Sequence, residues 1–385
     1  MRVRYGVRAG LGVVAVALVG FAGWLCSLPM PQPAREVAAI TPLERAQLLA
    51  ALQPPKRIRP LVAVLAINSA TEVTDYLVPT GILRRADVAD ALMLATQPGA
   101  VQLFPALRVQ PDATTAEFDY RYPDGADYVV VPAMSRDDDP AALAWIQAQA
   151  RKGATVIGIC AGAKVVGAVG LLHGKRATTH WYYLDALRKR SPDMRYVANR
   201  RLVVDGGVAT TTGITASMPA MLMLIEAIAG RGKANAVAAQ LGVSGRGVEH
   251  DSGAFQFSRP FARTVLGNRL AFWRHEQLGL HLQPGMDEMS LALVADAWSR
   301  TYRSQALAYS ASGALVHTRH GIGVWPDVVT AQWPDATRVS PVLNQKPAHA
   351  LDQALLAIAA RYGPATTDVV AMQLEYPRPP RADVR

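Results

Sequence analysis

Three observations predict an α/β fold with a doubly wound, mostly parallel sheet over residues 60–231. Leu61 to Ile67, Tyr128 to Val131 and Val156 to Ile159 are short apolar runs without polar alternation, as expected of strands covered on both faces. Helix-compatible stretches separate them, one opening near Glu72 and one capped by Asp139-Pro140 and closed by Gly153. The third run ends in Gly158-Ile159-Cys160-Ala161-Gly162-Ala163, and a helical stretch from Lys164 to Leu172 comes next. That is the strand–turn–helix grammar of a nucleophile elbow, whose crowded turn needs small neighbours.

The remaining strands of this unit are expected at Leu92 to Thr96 and Leu107 to Gln110. In such sheets ligands collect beyond the carboxyl ends of the strands, where Cys160 would sit. The elbow helix directs its N-terminus at Cys160, which predicts a stabilised thiolate. A buried structural cysteine is the alternative. Glu72 and Asp75 open the helix after the first strand, and Thr178-Thr179-His180-Trp181 comes after the elbow helix. Helix-dipole complementation for the two acids, and a core or N-cap role for His180, are the structural readings. Only Cys26 and Cys160 are present, without zinc-site spacing, and no cofactor or metal pattern occurs.

Arg2, Arg4 and Arg8 precede an apolar stretch over residues 9–28, long enough for the roughly 20 residues a membrane span requires. Residues 1–34 are therefore expected to form a cytoplasmic tip and transmembrane anchor, with the body in the periplasm of a single-pass inner-membrane protein. A cleaved signal peptide is the alternative; Trp24-Leu25-Cys26 fits its small-residue cleavage site poorly. Residues 35–59 read as a Pro-rich tether with one helix, Thr41 to Leu52, opened by a Thr41–Glu44 capping box. The chain is half hydrophobic and 18% charged, which excludes a largely disordered protein. Its net charge of +10 reads as a solvated basic face, since no DNA-binding motif accompanies it.

The ordered set of motifs resembles the ThiJ/PfpI superfamily, with the class I glutamine amidotransferase-like, flavodoxin-like fold. The elbow around Cys160 matches. Thr178-Thr179-His180-Trp181 looks most like the branch fused to AraC-type transcription regulators. Glu72 to Pro79 with Leu83-Arg84-Arg85-Ala86 is similar to the first helix of the Parkinson-disease protein deglycase, and Asp205 to Ala216 resembles the closing strand and helix start. The resemblance implies that Asp75 stands where the family has the acid that hydrogen-bonds the reactive cysteine. Two departures are visible. Pro132-Ala133-Met134 replaces the common Pro-Gly-Gly turn that supplies an oxyanion N–H, and Asp75 is shorter than the Glu of the deglycase-like branch.

Residues 232–277 read as a linking insertion, in which His250-Asp251-Ser252 is structural or supplies a loop over the site. Residues 278–377 read as a degenerate repeat of the same domain, ahead of a tail at 378–385. Leu278 to Leu282 and Met286 to Met289 echo the first strand and helix, placing Leu291 at the position of Asp75. Gly313 to Asp327 echoes Gly99 to Asp112, and Leu351 to Gly363 echoes the helix ending at Gly153. Thr367 to Met372 stands where an elbow is due, without Cys or Gly. The repeat is expected to act as an intramolecular pseudo-dimer partner, with a homodimer as the other arrangement.

Together these readings predict a cysteine-dependent hydrolase, hydratase or glyoxalase-like enzyme for a small carbonyl, amide or isonitrile compound. Cys160 is the expected nucleophile, His180 a general acid/base, and Asp75 the neighbouring acid. Ala161 and Ala133 are the expected oxyanion donors, and Glu72 and Trp181 line the pocket. The alternative is a non-catalytic redox or small-molecule sensor. Nucleic acid is not expected as a partner.

Overall fold

The computed structural model describes residues 17, 19–32, 35–243, 247–339 and 345–377. A seven-stranded sheet is its centre, in the spatial order Leu202–Asp205, Val208–Thr211, Thr155–Gly158, Tyr128–Val131, Leu61–Ala66, Asp90–Ala95, Ala113–Thr114. Every neighbouring pair is parallel except Leu202–Asp205 with Val208–Thr211. All six residues of Leu61–Ala66 are buried, which is why that strand is apolar throughout. Strand order reverses beside Leu61–Ala66, and the elbow strand Thr155–Gly158 ends on the side of that reversal.

The elbow helix runs over Gly162–Ala168, shorter than the expected stretch to Leu172. The helix expected from Thr41 is Pro42–Ala51, with the Thr41 side chain accepting from the Glu44 N–H at 3.1 Å. It is no loose tether. Leu48 and Leu52 are buried, Arg45 pairs with Glu226, and Glu44 pairs with Arg200 rather than closing a capping box. The buried Asp127 carboxylate accepts from the backbone N–H groups of Lys56, Arg57 and Leu61, which fixes the entry into the sheet.

Of the expected anchor, residues 9–28, residues 9–16 and 18 lie outside the described residues; residues 19–27 are helical. Among the described residues one helical stretch, Ile214–Leu241, is long and apolar enough to cross a membrane, but it is mostly buried as a core element.

The second half builds a three-stranded parallel sheet from Glu276–His281, Ser304–Ser310 and Val328–Val329. A mixed five-stranded sheet joins the halves, and Gly323–Trp325 pairs antiparallel with Arg108–Gln110. Val324 faces Val109 in that register, the residue it echoes in sequence, so a local twofold relation passes between them. The same relation pairs two helices, Val73–Ala86 and Glu288–Ser299, whose N-caps are Glu72 and Asp287. Arg85 and Arg300, the same number of residues further on, make reciprocal ion pairs with Asp287 and Glu72.

These caps correct three expectations. Asp75 donates its N–H to the Glu72 side chain and Ser290 does so to Asp287, so Ser290, not Leu291, is the counterpart of Asp75. Helix Pro347–Tyr362 packs on Glu288–Ser299 as Ser217–Leu241 packs on Val73–Ala86, so it is not a counterpart of the helix ending at Gly153. Thr367 to Met372 belongs to a helix, Pro364–Leu374, that runs to the first half's site instead of forming an elbow strand. The insertion is not a plain linker either. Ser258 caps a helix over Arg259–Leu270, with Pro260 in its first turn, and the apolar side of that helix reaches the same site.

Candidate functional site

Cys160 leaves the elbow strand with φ +55, a left-handed conformation that non-glycine residues rarely hold. The turn is pinned from three sides. Cys160 N–H donates to Thr211 Oγ1 at 3.2 Å, Thr179 Oγ1 donates to the Cys160 carbonyl at 2.9 Å, and Gly162 N–H donates to the Ile159 carbonyl at 2.7 Å. Thr179, part of the expected Thr-Thr-His motif, thus holds the elbow itself.

A cavity of about 600 Å³ opens over the turn. Cys160, Ala161, Ala133, Glu72, His180 and Trp181 line it. Six expected site residues therefore converge on one space; Asp75 is fully buried behind it. From the insertion and the second half come Phe257, Phe261, Arg269, Arg300, Tyr302 and Gln373. No local motif marks these. Arg300 alone had a signal, as the repeat counterpart of Arg85.

The expected thiolate is not the resting form. Burial pushes the Cys160 thiol well above its ordinary range, and the carboxyl groups of Asp75, Glu72 and Glu375 add to this; the Ala161 N–H and the Arg300 cation pull the other way. A seven-residue helix does not outweigh desolvation and three acids. Burial, followed by Glu72, likewise raises the Asp75 carboxyl well above the usual carboxylate range. Asp75 Oδ2 accepts from the Ala133 N–H at 3.1 Å, while Oδ1 has no protein partner. Burial thus works against the charged form of both the thiol and the Asp75 acid, whose Oδ1 is left without a partner. The Ala133 N–H, expected as an oxyanion donor, is already spent.

His180 differs most from expectation. Its Nδ1 accepts from the Tyr182 N–H at 3.2 Å and its Nε2 lies 3.0 Å from the Gln373 carbonyl, so Nε2 carries the proton and both nitrogens are occupied. Burial lowers its pKa and keeps the ring neutral. His180 caps the short turn Trp181–Tyr183, the structural reading of that residue, and leaves no lone pair for a proton from Cys160. Trp181 is similarly committed: its backbone N–H donates to Glu375 and its indole N–H to the Met372 carbonyl. Glu375, buried at the end of Pro364–Leu374, also accepts from the Gly213 N–H at 2.7 Å. The C-terminal helix is thereby fastened to both motif segments beside the elbow.

Glu72 is shared between the halves. Its Oε2 accepts from the Asp75 N–H and from Thr74 Oγ1, and its Oε1 accepts from Arg300 at 2.7 Å. Arg300 Nε donates to Asp296 Oδ1 at 2.6 Å. Burial works against the Arg300 cation, but Asp296 and Glu72 outweigh it and hold its pKa above the ordinary value.

This arrangement defines an α/β protein of the nucleophile-elbow kind, with one thiol lining a small-molecule cavity and one acid buried behind it. Residues 61–227 match the DJ-1/PfpI family, and this part of the chain is a DJ-1/PfpI family domain with its flavodoxin-like, mostly parallel fold. The chain is 40% identical over 105 residues to an isonitrile hydratase of Pseudomonas putida, a match covering 27% of this chain and 44% of that protein. It is 40% identical over 86 residues to the HTH-type transcriptional regulator CdhR of Pseudomonas aeruginosa, covering 22% of this chain and 25% of the regulator. The match thus spans less than half the length of either relative. A DJ-1 superfamily protein of Salmonella typhimurium aligns with 26% identity and a TM-score of 0.43, over 48% of this chain and 100% of that one. Because a transcriptional regulator is among the relatives, they lend no support to the expectation that nucleic acid is excluded as a partner.

Proposed function

We propose that the chain is a cysteine-dependent enzyme of DJ-1/PfpI type acting on a small carbonyl, amide or isonitrile compound. The observation that carries this reading is Cys160 held at φ +55 on the floor of a cavity of about 600 Å³, beside a buried acid with an unpartnered oxygen. Small-molecule sites have this size and this mix of apolar wall and few polar groups. The relative named for isonitrile hydration supports the substrate class.

In the proposed step Cys160 Sγ bonds to the electrophilic carbon; in a carbonyl or amide the π pair of that carbon moves onto its oxygen, whereas in an isonitrile the pair stays on the carbon itself. The thiol proton passes to Asp75 Oδ1 and an Asp75 proton is delivered to the atom that holds the pair, giving a hemithioacetal-type adduct or a thioimidate, so the acid ends as it began. The Ala161 N–H, which faces the sulfur, stabilises charge on the reacting atoms. His180 positions this apparatus through the Trp181–Tyr183 turn and transfers no proton. Cys160→Ala is expected to lower turnover of a panel of small aldehydes, amides and isonitriles on the order of a thousandfold or more. Equal turnover by both proteins would end the enzymatic reading.

A protonated resting thiol and an occupied Ala133 N–H favour a second reading, a small-molecule binding domain akin to the ligand domain of AraC-type regulators. In that case neither wild type nor Cys160→Ala turns over any of the panel, yet both bind.

The body is further read as held at the inner membrane through residues 9–28, on the periplasmic side. Support comes from Val19, Phe21 and Trp24, apolar side chains left exposed on residues 19–27. The full chain should resist alkaline extraction from membranes; its complete release would contradict the anchor.

A further inference from the structure

We propose that the second half sets specificity at the Cys160 cavity: Arg269, laid over the Tyr302 ring, receives the carboxylate of a substrate whose apolar body fills the aromatic lining. The inference depends on the proposed function only for the chemistry after binding.

The wall is aromatic, with Phe104, Trp181, Tyr182, Tyr183, Phe257 and Phe261 around the space. Three Lys or Arg residues line it, and two are already matched. Lys164 pairs with Asp137, and Arg300 bridges Glu72 and Asp296. Arg269 alone of the three has no carboxylate partner among the described residues. It stands exposed in the last turn of Arg259–Leu270, with its guanidinium carbon 4.7 Å from the Tyr302 ring centroid. A guanidinium stacked on a ring keeps its planar edge free, and that edge matches a carboxylate in two parallel hydrogen bonds.

Tyr302 is the second observation. Its φ is +56, where a bulky residue is disfavoured by roughly 1–2 kcal/mol. The corresponding position after the paired helix of the first half is Asp87, also left-handed at φ +49 but of a type that tolerates it, and it faces Arg59 at the surface. The second half has thus put an aromatic ring where a small polar residue is cheaper, and that ring borders the cavity and supports Arg269. Ala70 at φ +56 and Cys160 at φ +55 border the same space, so unfavourable backbone gathers at this cavity from both halves.

Phenylacetate and phenylacetamide, which share shape and differ in charge, test this by calorimetric titration of the full chain. Wild type is expected to favour phenylacetate by about tenfold. Arg269→Gln should erase that preference while leaving phenylacetamide affinity within about twofold of wild type. Tyr302→Asn should raise the melting temperature, because Asn accepts the left-handed backbone, and weaken binding of both probes. Cys160→Ala should keep the preference for phenylacetate, which separates failure of this inference from failure of the enzymatic reading. Equal binding of the two probes by wild type, binding of neither, or an Arg269→Gln chain that still favours phenylacetate would overturn it.

Discussion

Gly162→Ala is expected to destabilise the protein by about 3 kcal/mol or more, since the added carbon meets backbone that cannot turn aside. A Cβ built on Gly162 would lie 2.0 Å from the Val131 carbonyl oxygen and 3.0 Å from the Pro132 carbonyl carbon. Both belong to the end of the neighbouring strand, which is hydrogen-bonded into the sheet on two sides. Relief requires the elbow helix to lift off the sheet. That would strain Cys160 N–H to Thr211 and Thr179 to the Cys160 carbonyl, so the lesion reaches the site as well as the core. Gly232 supplies the control: in helix Ser217–Leu241 its Cβ would meet nothing within 4 Å, and Gly232→Ala should be neutral or stabilising by up to about 1 kcal/mol. Thermal unfolding of the full chain reads the difference, with Gly162→Ala melting roughly 4 °C or more lower. An unchanged melting temperature would mean that the elbow helix and the neighbouring strand leave room for a methyl group.

The elbow was legible because its constraints are local. Four small residues around one cysteine, between an apolar run and a helix, leave few other conformations, and Gly162 shows the physical reason for one of them. The ionisation state was not legible. It depends first on burial and then on Asp75, Glu72 and Glu375, which are distant in sequence and gather at the sulfur only in the fold. His180 fails as a base for a partly similar reason: Gln373, from the far end of the chain, fixes the proton on Nε2, while the Tyr182 N–H takes the lone pair of Nδ1. The insertion helix carried a readable start at Ser258-Arg259-Pro260, yet nothing local indicates that its Phe261 face closes the cavity. In the second half, Val324 lies opposite Val109, the residue it echoes in sequence, whereas apolar pattern alone points to Leu291, one residue past the counterpart that the helix caps define.

Arg300→Met is expected to cost about 3–5 kcal/mol at about pH 8, because it strands two carboxyl groups in the interior between the halves. Arg300 is the cation that Glu72 and Asp296 share, and Asp296 Oδ2 already lacks a partner. The dependence on pH gives the sharper test. Burial, partly offset by Arg300, raises the Asp296 carboxyl to about 7 even in the wild type. An acid raised on folding holds a proton that the unfolded chain releases above about pH 4, so its contribution to stability is complete below that pH. The contribution is lost as pH rises through the folded value. Removing the guanidinium raises the folded pKa of Asp296 further, so the deficit of Arg300→Met should be small near pH 5 and grow toward pH 8. Adding Asp296→Asn removes one stranded charge and should recover part of the loss at the higher pH. Arg85→Met, which breaks the reciprocal pair with Asp287, separates structure from site. It should also destabilise the chain, but of the two only Arg300→Met should slow alkylation of Cys160, since the Arg300 cation lines the cavity and interacts with that thiol. A deficit that shrinks between pH 5 and pH 8, or equal alkylation in the two variants, would show that Arg300 does not hold the acids and the sulfur in one electrostatic unit.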